Sequence, residues 1–545
     1  MKTQFDVIII GSGLAGSILA TILAKHNLRV LTIDKNTHPR FAIGEAMTPD
    51  TDLMMSILSY QYSVPELNHL SSFENICQHI SPDACGLKRS FNFIHHHEGE
   101  PQTLTETNKV GVRPSSHLFR QEIDTYIAQV AVNYGNKLLE NTAIKSIDID
   151  SQGVTVRVDS GKEFTAQYIV DASGYRSPLS EKFNLRENPP RFKTHSRSIF
   201  THMTGVKRYD DCVASSNDQL PWHEGTLHHI FDGGWMWVIP FNNHERSTNP
   251  ICSVGVNFDA RRFLKTESPE QEFKNFLSRF PGIAIQFEDA KPVRNWITTG
   301  RLQYSSRSCV GERFYLLPHA SGFIDALYSF GLVNSCTVII PLAQRIMQAI
   351  AKNDYAPEKF QDIELLQQNL LDYNDNLVNC SYISFTNFKL WDAWRRVWLI
   401  GSFMRQAKAG LSKRMKIDAG KTQELSALAE NNLARLTPSY EGLGDNFFQE
   451  ATATVERVQA GLLSADEAAD SLLAAIKAID FLPHNFWKLG DASQTDVDTE
   501  SELFKSEYSR FLSWVKTAKK PEIRKYFDYD MEDLLAAVEL AAVKR

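Results

Sequence analysis

The chain has 545 residues, 43% hydrophobic and 23% charged, with a formal net charge of -7. The length predicts more than one domain, the composition is that of an ordinary globular protein, and the excess of acids over bases excludes the basic footprint of a nucleic-acid binder. Seven cysteines, at 77, 85, 212, 252, 309, 336 and 380, form no pair at zinc-ligand spacing and read as free thiols of a reducing, cytoplasmic setting. The apolar N-terminus lacks a charged leader and a cleavage site, and no uninterrupted apolar stretch reaches the roughly 18 residues of a membrane span, so none is expected.

The first fifty residues carry the strongest signal. Phe5 to Ile10 is apolar but for Asp6, the pattern of a strand buried on both faces. Gly11, Gly13 and Gly16 follow at once, then Ala15, Ile18, Leu19, Ile22 and Leu23 recur at helical spacing, and Leu28 to Ile33 predicts a second strand ending at Asp34. In such a strand, turn, helix and strand, Gly11 permits the tight turn, Gly13 admits a pyrophosphate to the backbone and Gly16 lets the helix approach the strand. The helix N-terminus offers free N–H groups and a positive dipole end to the phosphates. Asp34 is placed to accept hydrogen bonds from a ribose. The combination predicts dinucleotide binding.

Further along, "GLKRSFNF" alternates as a strand: Leu87, Arg89, Phe91 and Phe93 share one face, and Lys88, Ser90 and Asn92 the other. "IHHHEGE" presents His95, His96 and His97, whose alternating side chains cannot all converge, so the run reads as a polar strand end and no metal site is expected. "SSHLFRQEIDTYIAQVA" predicts an amphipathic helix with Arg120 and Asp124 at its head, and "YIVDASGYRSPL" a strand ending at Asp171. In "GGWMWVIP", Trp235 and Trp237 stand two apart on one face of a strand and make a wide apolar wall, fit for a core or for a flat ligand. "FYLLPHASGFIDALYSFG" predicts a strand, a turn and the start of a helix. From about residue 355 the pattern is helical, with an aromatic stripe at Phe385, Phe388, Trp391, Trp394 and Trp398 that packs a core or covers a substrate pocket. Ser464 with Glu467 predicts a capping box. A charged tail follows from about residue 490.

The separated segments around Arg120, Asp171 and Phe314 to Gly331 make the chain resemble the flavin monooxygenase superfamily, which implies FAD. Within it, "RFAIGEAMTP" (Arg40 to Pro49) and "GWMWVIP" resemble the motifs of flavin-dependent halogenases, over roughly residues 1 to 410. The resemblance implies an α/β fold: an FAD-binding Rossmann-like domain within 1-350 (about 1-45, 110-185 and 295-350), an inserted antiparallel sheet (about 46-109 and 186-294) and a helical region, 351-545. It implies that Gly11, Gly13, Leu14, Ala15, Gly16, Asp34, Arg40, Glu45, Arg120 and Asp325 bind the cofactor. Trp235 and Trp237 would line the tunnel between flavin and substrate, Lys88 would be catalytic, and the amides of Phe330 and Gly331 would hold chloride or bromide.

This chain departs from the family pattern at the turn before that helix. Pro318 and His319 replace a glycine-aspartate pair, Ala326 replaces a proline, and Phe330 a small residue. Tyr328 stands where halogenases of free tryptophan carry a glutamate, which points to a phenolic or similarly electron-rich aromatic substrate, free or carrier-bound. A second nucleotide fingerprint is lacking, so reduced FAD is expected from a separate flavin reductase. Two alternatives share the fold: an FAD-dependent aromatic hydroxylase needing no halide, and a non-catalytic flavoprotein.

Overall fold

The computed structural model describes residues 4-213, 220-413, 444-493, 496-498, 502-518 and 523. Most of the charged C-terminal tail lies outside the described residues. In chain order the elements that build the site are β1 (Val7–Ile10), α1 (Leu14–Lys25), β2 (Val30–Ile33), α2 (Pro49–Tyr62), β3 (Gly86–His96), β4 (Thr107–His117), α3 (Arg120–Asn133), β5 (Tyr168–Asp171), β6 (Ser196–Thr204), β7 (Thr226–Phe231), β8 (Gly234–Pro240), β9 (Cys252–Asp259), β10 (Phe314–Leu316), α4 (Phe330–Lys352), α5 (Gln361–Ser384) and α6 (Phe388–Lys413).

The apolar run at the N-terminus is the middle of a six-stranded sheet. β1 pairs in parallel with β2 and with β5, Val7 standing opposite Val30 and Tyr168. β10 adds in parallel beside β5, and Lys137–Leu139 beside β2. All four residues of β1 are buried, and α1 packs between this sheet and helices α3 and α4, which is why neither face carries polar side chains. Gly16 makes that packing possible: a Cβ there would lie 2.1 Å from the Gly11 carbonyl oxygen.

The second sheet has nine strands, with β6, β9, β8, β7, β3 and β4 adjacent in that order. It is not purely antiparallel as expected, because β7 pairs in parallel with β3. Between β4 and β7 the chain runs through the FAD-side elements and β6, and a long connection of that kind permits a parallel pair.

α5, α6 and the helices Asp445–Gln459 and Ala465–Ala478 form the helical part. Ser464 and Glu467 make the reciprocal capping box. Trp391, Trp394 and Trp398 are buried, with Trp391 and Trp398 edge-on to Phe93 and Phe91 of β3, so the stripe seals the helical layer against the second sheet. Among the described residues one helix, α4, is long and apolar enough to cross a membrane; polar residues interrupt it and 72% of that stretch is buried inside the fold, where it packs as a core helix. All seven cysteines are free.

Candidate active site

A cavity of about 480 Å³ opens between the two sheets. Its outer end is built by the glycine turn. Gly11, at φ +97°, is held so close to the Ala172 carbonyl that a Cβ would stand 2.8 Å from that oxygen. Gly13 caps α1 with no side-chain capping bond, and a Cβ there would meet only Arg40 Nη2 at 3.9 Å. Gly13, Leu14 and Ala15 line the cavity, while Gly16 lies behind it.

Asp34 also faces the cavity, and its carboxylate is already well supplied. The Ser12 N–H and hydroxyl donate to Oδ2 at 2.8 and 2.9 Å, Arg40 Nη2 donates to Oδ2 at 2.8 Å, and the Asn36 N–H donates to Oδ1 at 2.9 Å. Burial pushes this carboxyl up, but those donors outweigh it and hold it below the usual range. Arg120, bidentate on Asp124 at 2.7 and 2.9 Å, also donates to the Ile43 and Gly44 carbonyls at 2.8 and 3.0 Å. It thereby clamps the loop carrying Glu45, whose Oε1 pairs with His202 Nε2 at 2.7 Å.

The inner end of the cavity is formed by Trp235, Trp237, Thr226 and His228 from β8 and β7. The two indoles are 5.7 Å apart, centroid to centroid, so the side-by-side arrangement expected from their spacing is present. Trp235 Nε1 donates to Asp325 Oδ1 at 3.2 Å. Asp325, expected among the cofactor-binding residues, lines the cavity and also accepts from Ser196, Tyr382 and the Leu327 N–H. Burial pushes its carboxyl up to about 6.

Gly331 lines the cavity; the Phe330 side chain does not, being buried beneath the Arg405 guanidinium. Both belong to the first turn of α4, whose cap residue Ser329 is left-handed (φ 56°) and makes no side-chain capping bond. His319 packs over this turn: a Gly331 Cβ would lie 2.9 Å from its Nε2. Burial holds His319 down at about 4, so it stands there as a neutral ring.

Lys88 requires a correction. Strict alternation placed it with Ser90 and Asn92, away from Phe91. The register of β3 against β4 is irregular between Lys88 and Ser90, and the Lys88 Nζ comes to lie 3.6 Å from the Phe91 ring centroid. Ser90 and Asn92 face Gly225. Lys88 is fully buried, does not line the cavity, and its Nζ has no hydrogen-bond partner among the described residues. The cavity wall nevertheless adjoins its surroundings: Thr226 hydrogen-bonds His117 at 2.9 Å, and His228 stacks on Phe91 at 5.9 Å.

Burial pulls the Lys88 amine down to about 7, with the Asp52 charge opposing that shift. Asp52, on the first turn of α2, is itself pushed well up by burial and accepts from Ser115 at 3.0 Å. His117 and His228 are both held at about 3 by burial, the Lys88 charge adding to the effect. Sequence reasoning missed Asp52, His117 and His228, and marked His319 only as a departure from the family pattern. The pair of acids after the Thr48-Pro49 cap was the available signal for Asp52. Tyr328 is buried, its hydroxyl 2.6 Å from Ser381 Oγ and its ring 4.9 Å from Trp398.

As the alternation requires, the three histidines do not all converge, but His95 and His97 share a side, and with Glu106 their ligand atoms lie within 4.8 Å of one another. His96 points away, to His229 at 2.8 Å. The missing partner was Glu106, across the sheet and outside any local spacing.

The glycine turn, the uncapped start of α1 and the open side of Gly13 suit a dinucleotide at the outer end of the cavity. The family described as FAD binding domain matches residues 4–249. The chain is 43% identical to monodechloroaminopyrrolnitrin halogenase PrnC of Pseudomonas fluorescens, covering 97% of this chain and 94% of that protein. It is 40% identical to tetracycline 7-halogenase of Kitasatospora aureofaciens, covering 98% and 97%. The crystal structure of halogenase PltM in complex with phloroglucinol and FAD superposes with a TM-score of 0.86 at 36% identity, over 91% of this chain and 99% of that one. The chain belongs to the flavin-dependent halogenase family. It is an enzyme that uses FAD and a halide, which sets aside the hydroxylase and non-catalytic alternatives.

Proposed function

We propose that this halogenase acts on an electron-rich, phenol-class aromatic ring, with Lys88 as the catalytic residue and a separate flavin reductase supplying reduced FAD. The observation that carries the reading is the Lys88 amine, fully buried and without a hydrogen-bond partner among the described residues. Two of the compared proteins support the substrate class: one is named for tetracycline, and the other holds phloroglucinol. Tyr328 supports it as well, since it puts no carboxylate at that place in the turn.

Gly11, Gly13, Leu14 and Ala15 would take the pyrophosphate of FAD, with Asp34 and Arg40 beside them and Arg120 and Glu45 bracing the adjoining loop. When bound, reduced FAD supplies, with oxygen, the oxidising power that converts halide to an electrophilic halogen. The amides of Phe330 and Gly331, at the positive end of α4, would hold the chloride or bromide. The Trp235 and Trp237 wall would keep the organic substrate from the flavin end. With the amine near neutrality, Lys88 can donate a hydrogen bond to hypohalous acid as an ammonium. As a free amine it can take the halogen in exchange for its own proton, water leaving.

Lys88→Ala tests this. Flavin oxidation should continue while halogenated product falls about a thousandfold, the equivalent of ~4 kcal/mol of lost transition-state stabilisation. Lys88→Arg should not restore it, because guanidinium stays charged. Halogenation by Lys88→Ala at the wild-type rate would show that the halogen is delivered elsewhere.

A further inference from the structure

We infer that His95, His97 and Glu106 form a binding site for a divalent transition-metal ion of the zinc class, apart from the flavin cavity. His95 and His97 leave the end of β3 on the same side, two residues apart. Glu106 stands across from them just before β4, the His95 N–H donating to the Glu106 carbonyl at 3.0 Å.

The hydrogen bonds of His95 determine what its ring can offer. His95 Nε2 lies 2.9 Å from the Phe385 carbonyl oxygen, an acceptor, so Nε2 carries a hydrogen. In the neutral ring Nδ1 is then a bare lone pair, and it points at Glu106 Oε2 from 2.7 Å. A lone pair and a carboxylate oxygen this close share a cation, a proton in the metal-free protein, whose place an incoming metal ion takes as the two groups part slightly to admit it. His97 Nε2 adds a second ring nitrogen, 2.9 Å from the same oxygen. A metal ligand whose other ring N–H is held by a backbone carbonyl is the usual support of a histidine-bound ion, and two imidazoles with one carboxylate suit zinc and its neighbours rather than magnesium or calcium. His95 is 2% exposed, while His97 and Glu106 are 53% and 34% exposed. The site therefore has one fixed ligand and two that can close on an ion arriving from solvent.

The position gives the ion a structural role. It joins β3, the strand carrying Lys88, to the segment before β4, and through the Phe385 carbonyl it reaches the break between α5 and α6. Occupancy would brace the lysine strand against the helical layer, with no part in the halogenation chemistry itself.

The test uses the purified, FAD-loaded protein, titrated with zinc chloride by calorimetry and with cobalt(II) by difference absorption against the flavin bands. Wild type should bind one zinc per chain, show cobalt ligand-field bands that zinc displaces, and unfold at a higher temperature with zinc than with a chelator. His97→Ala and Glu106→Gln, both at partly exposed positions, should each lose the cobalt bands and the thermal shift. Equal zinc binding by wild type and both variants would place the metal on other surface groups and overturn the site. Absence of zinc binding in wild type would also overturn it, leaving a protonated His95 paired with Glu106.

Discussion

The indole N–H of Trp235 donates to the Asp325 carboxylate at 3.2 Å, tying β8 to the turn that opens α4. That carboxylate also accepts from Ser196 of β6 at 2.9 Å and Tyr382 of α5 at 3.1 Å. One acid thus joins β8, β6, the turn that opens α4 and the helical layer. Trp235→Phe removes one donor and should cost about 0.5–1.5 kcal/mol. Asp325→Asn turns an amide towards groups that all donate and should cost more, about 1–3 kcal/mol. Urea unfolding of both variants measures this; the opposite ranking would mean that Asp325 does not organise the turn.

The two glycines of the first turn should fail differently. At Gly13 the protein leaves room for a side chain, the only atom near a Cβ being Arg40 Nη2 at 3.9 Å. Gly13→Glu should fold normally and lose FAD, because its carboxylate enters phosphate space. At Gly16 a Cβ would lie 2.1 Å from the Gly11 carbonyl. Gly16→Ala should lower the unfolding temperature whether or not FAD is present. Comparing flavin retention with unfolding of the flavin-free proteins separates the two defects.

Lys88 should be costly to the fold as well as necessary to the chemistry. Its folded value of about 7 lies below the ordinary 10.5, because burial disfavours the ammonium. Below pH 7 the whole penalty is present; between about 7 and 10.5 the unfolded chain binds a proton that the folded one does not, so wild type gains stability as pH rises. Lys88→Met should therefore be the more stable protein by about 1–3 kcal/mol below pH 7, with the margin shrinking towards pH 10. Chemical denaturation across that range, run beside the halogenation assay, gives the result; a margin that grows with pH would contradict the assigned burial cost.

NADH alone should not reduce the bound flavin, since the chain carries one nucleotide fingerprint, at Gly11 to Gly16. A separate flavin reductase should restore turnover with halide and oxygen. Rapid bleaching of the flavin by NADH without a partner, followed anaerobically by absorbance, would reveal a nicotinamide site that the sequence does not advertise.

What the sequence alone determined is what local rules govern. The strand, glycine turn and helix at the N-terminus, the shared face of Trp235 and Trp237, and the capping box at Ser464 depend on residues within a few positions of one another, and spacing reveals them. That the Lys88 amine lies over the Phe91 ring was decided by packing around an irregular stretch of the β3–β4 pairing, which strict alternation does not describe. Asp52, His117 and His228 reach the lysine from α2, β4 and β7, Glu106 reaches His95 and His97 from the segment just before β4, and Asp325 collects donors from β6, β8 and α5. Those convergences exist only once distant segments pack, since a buried charge or lone pair takes its partner from whatever the fold brings beside it.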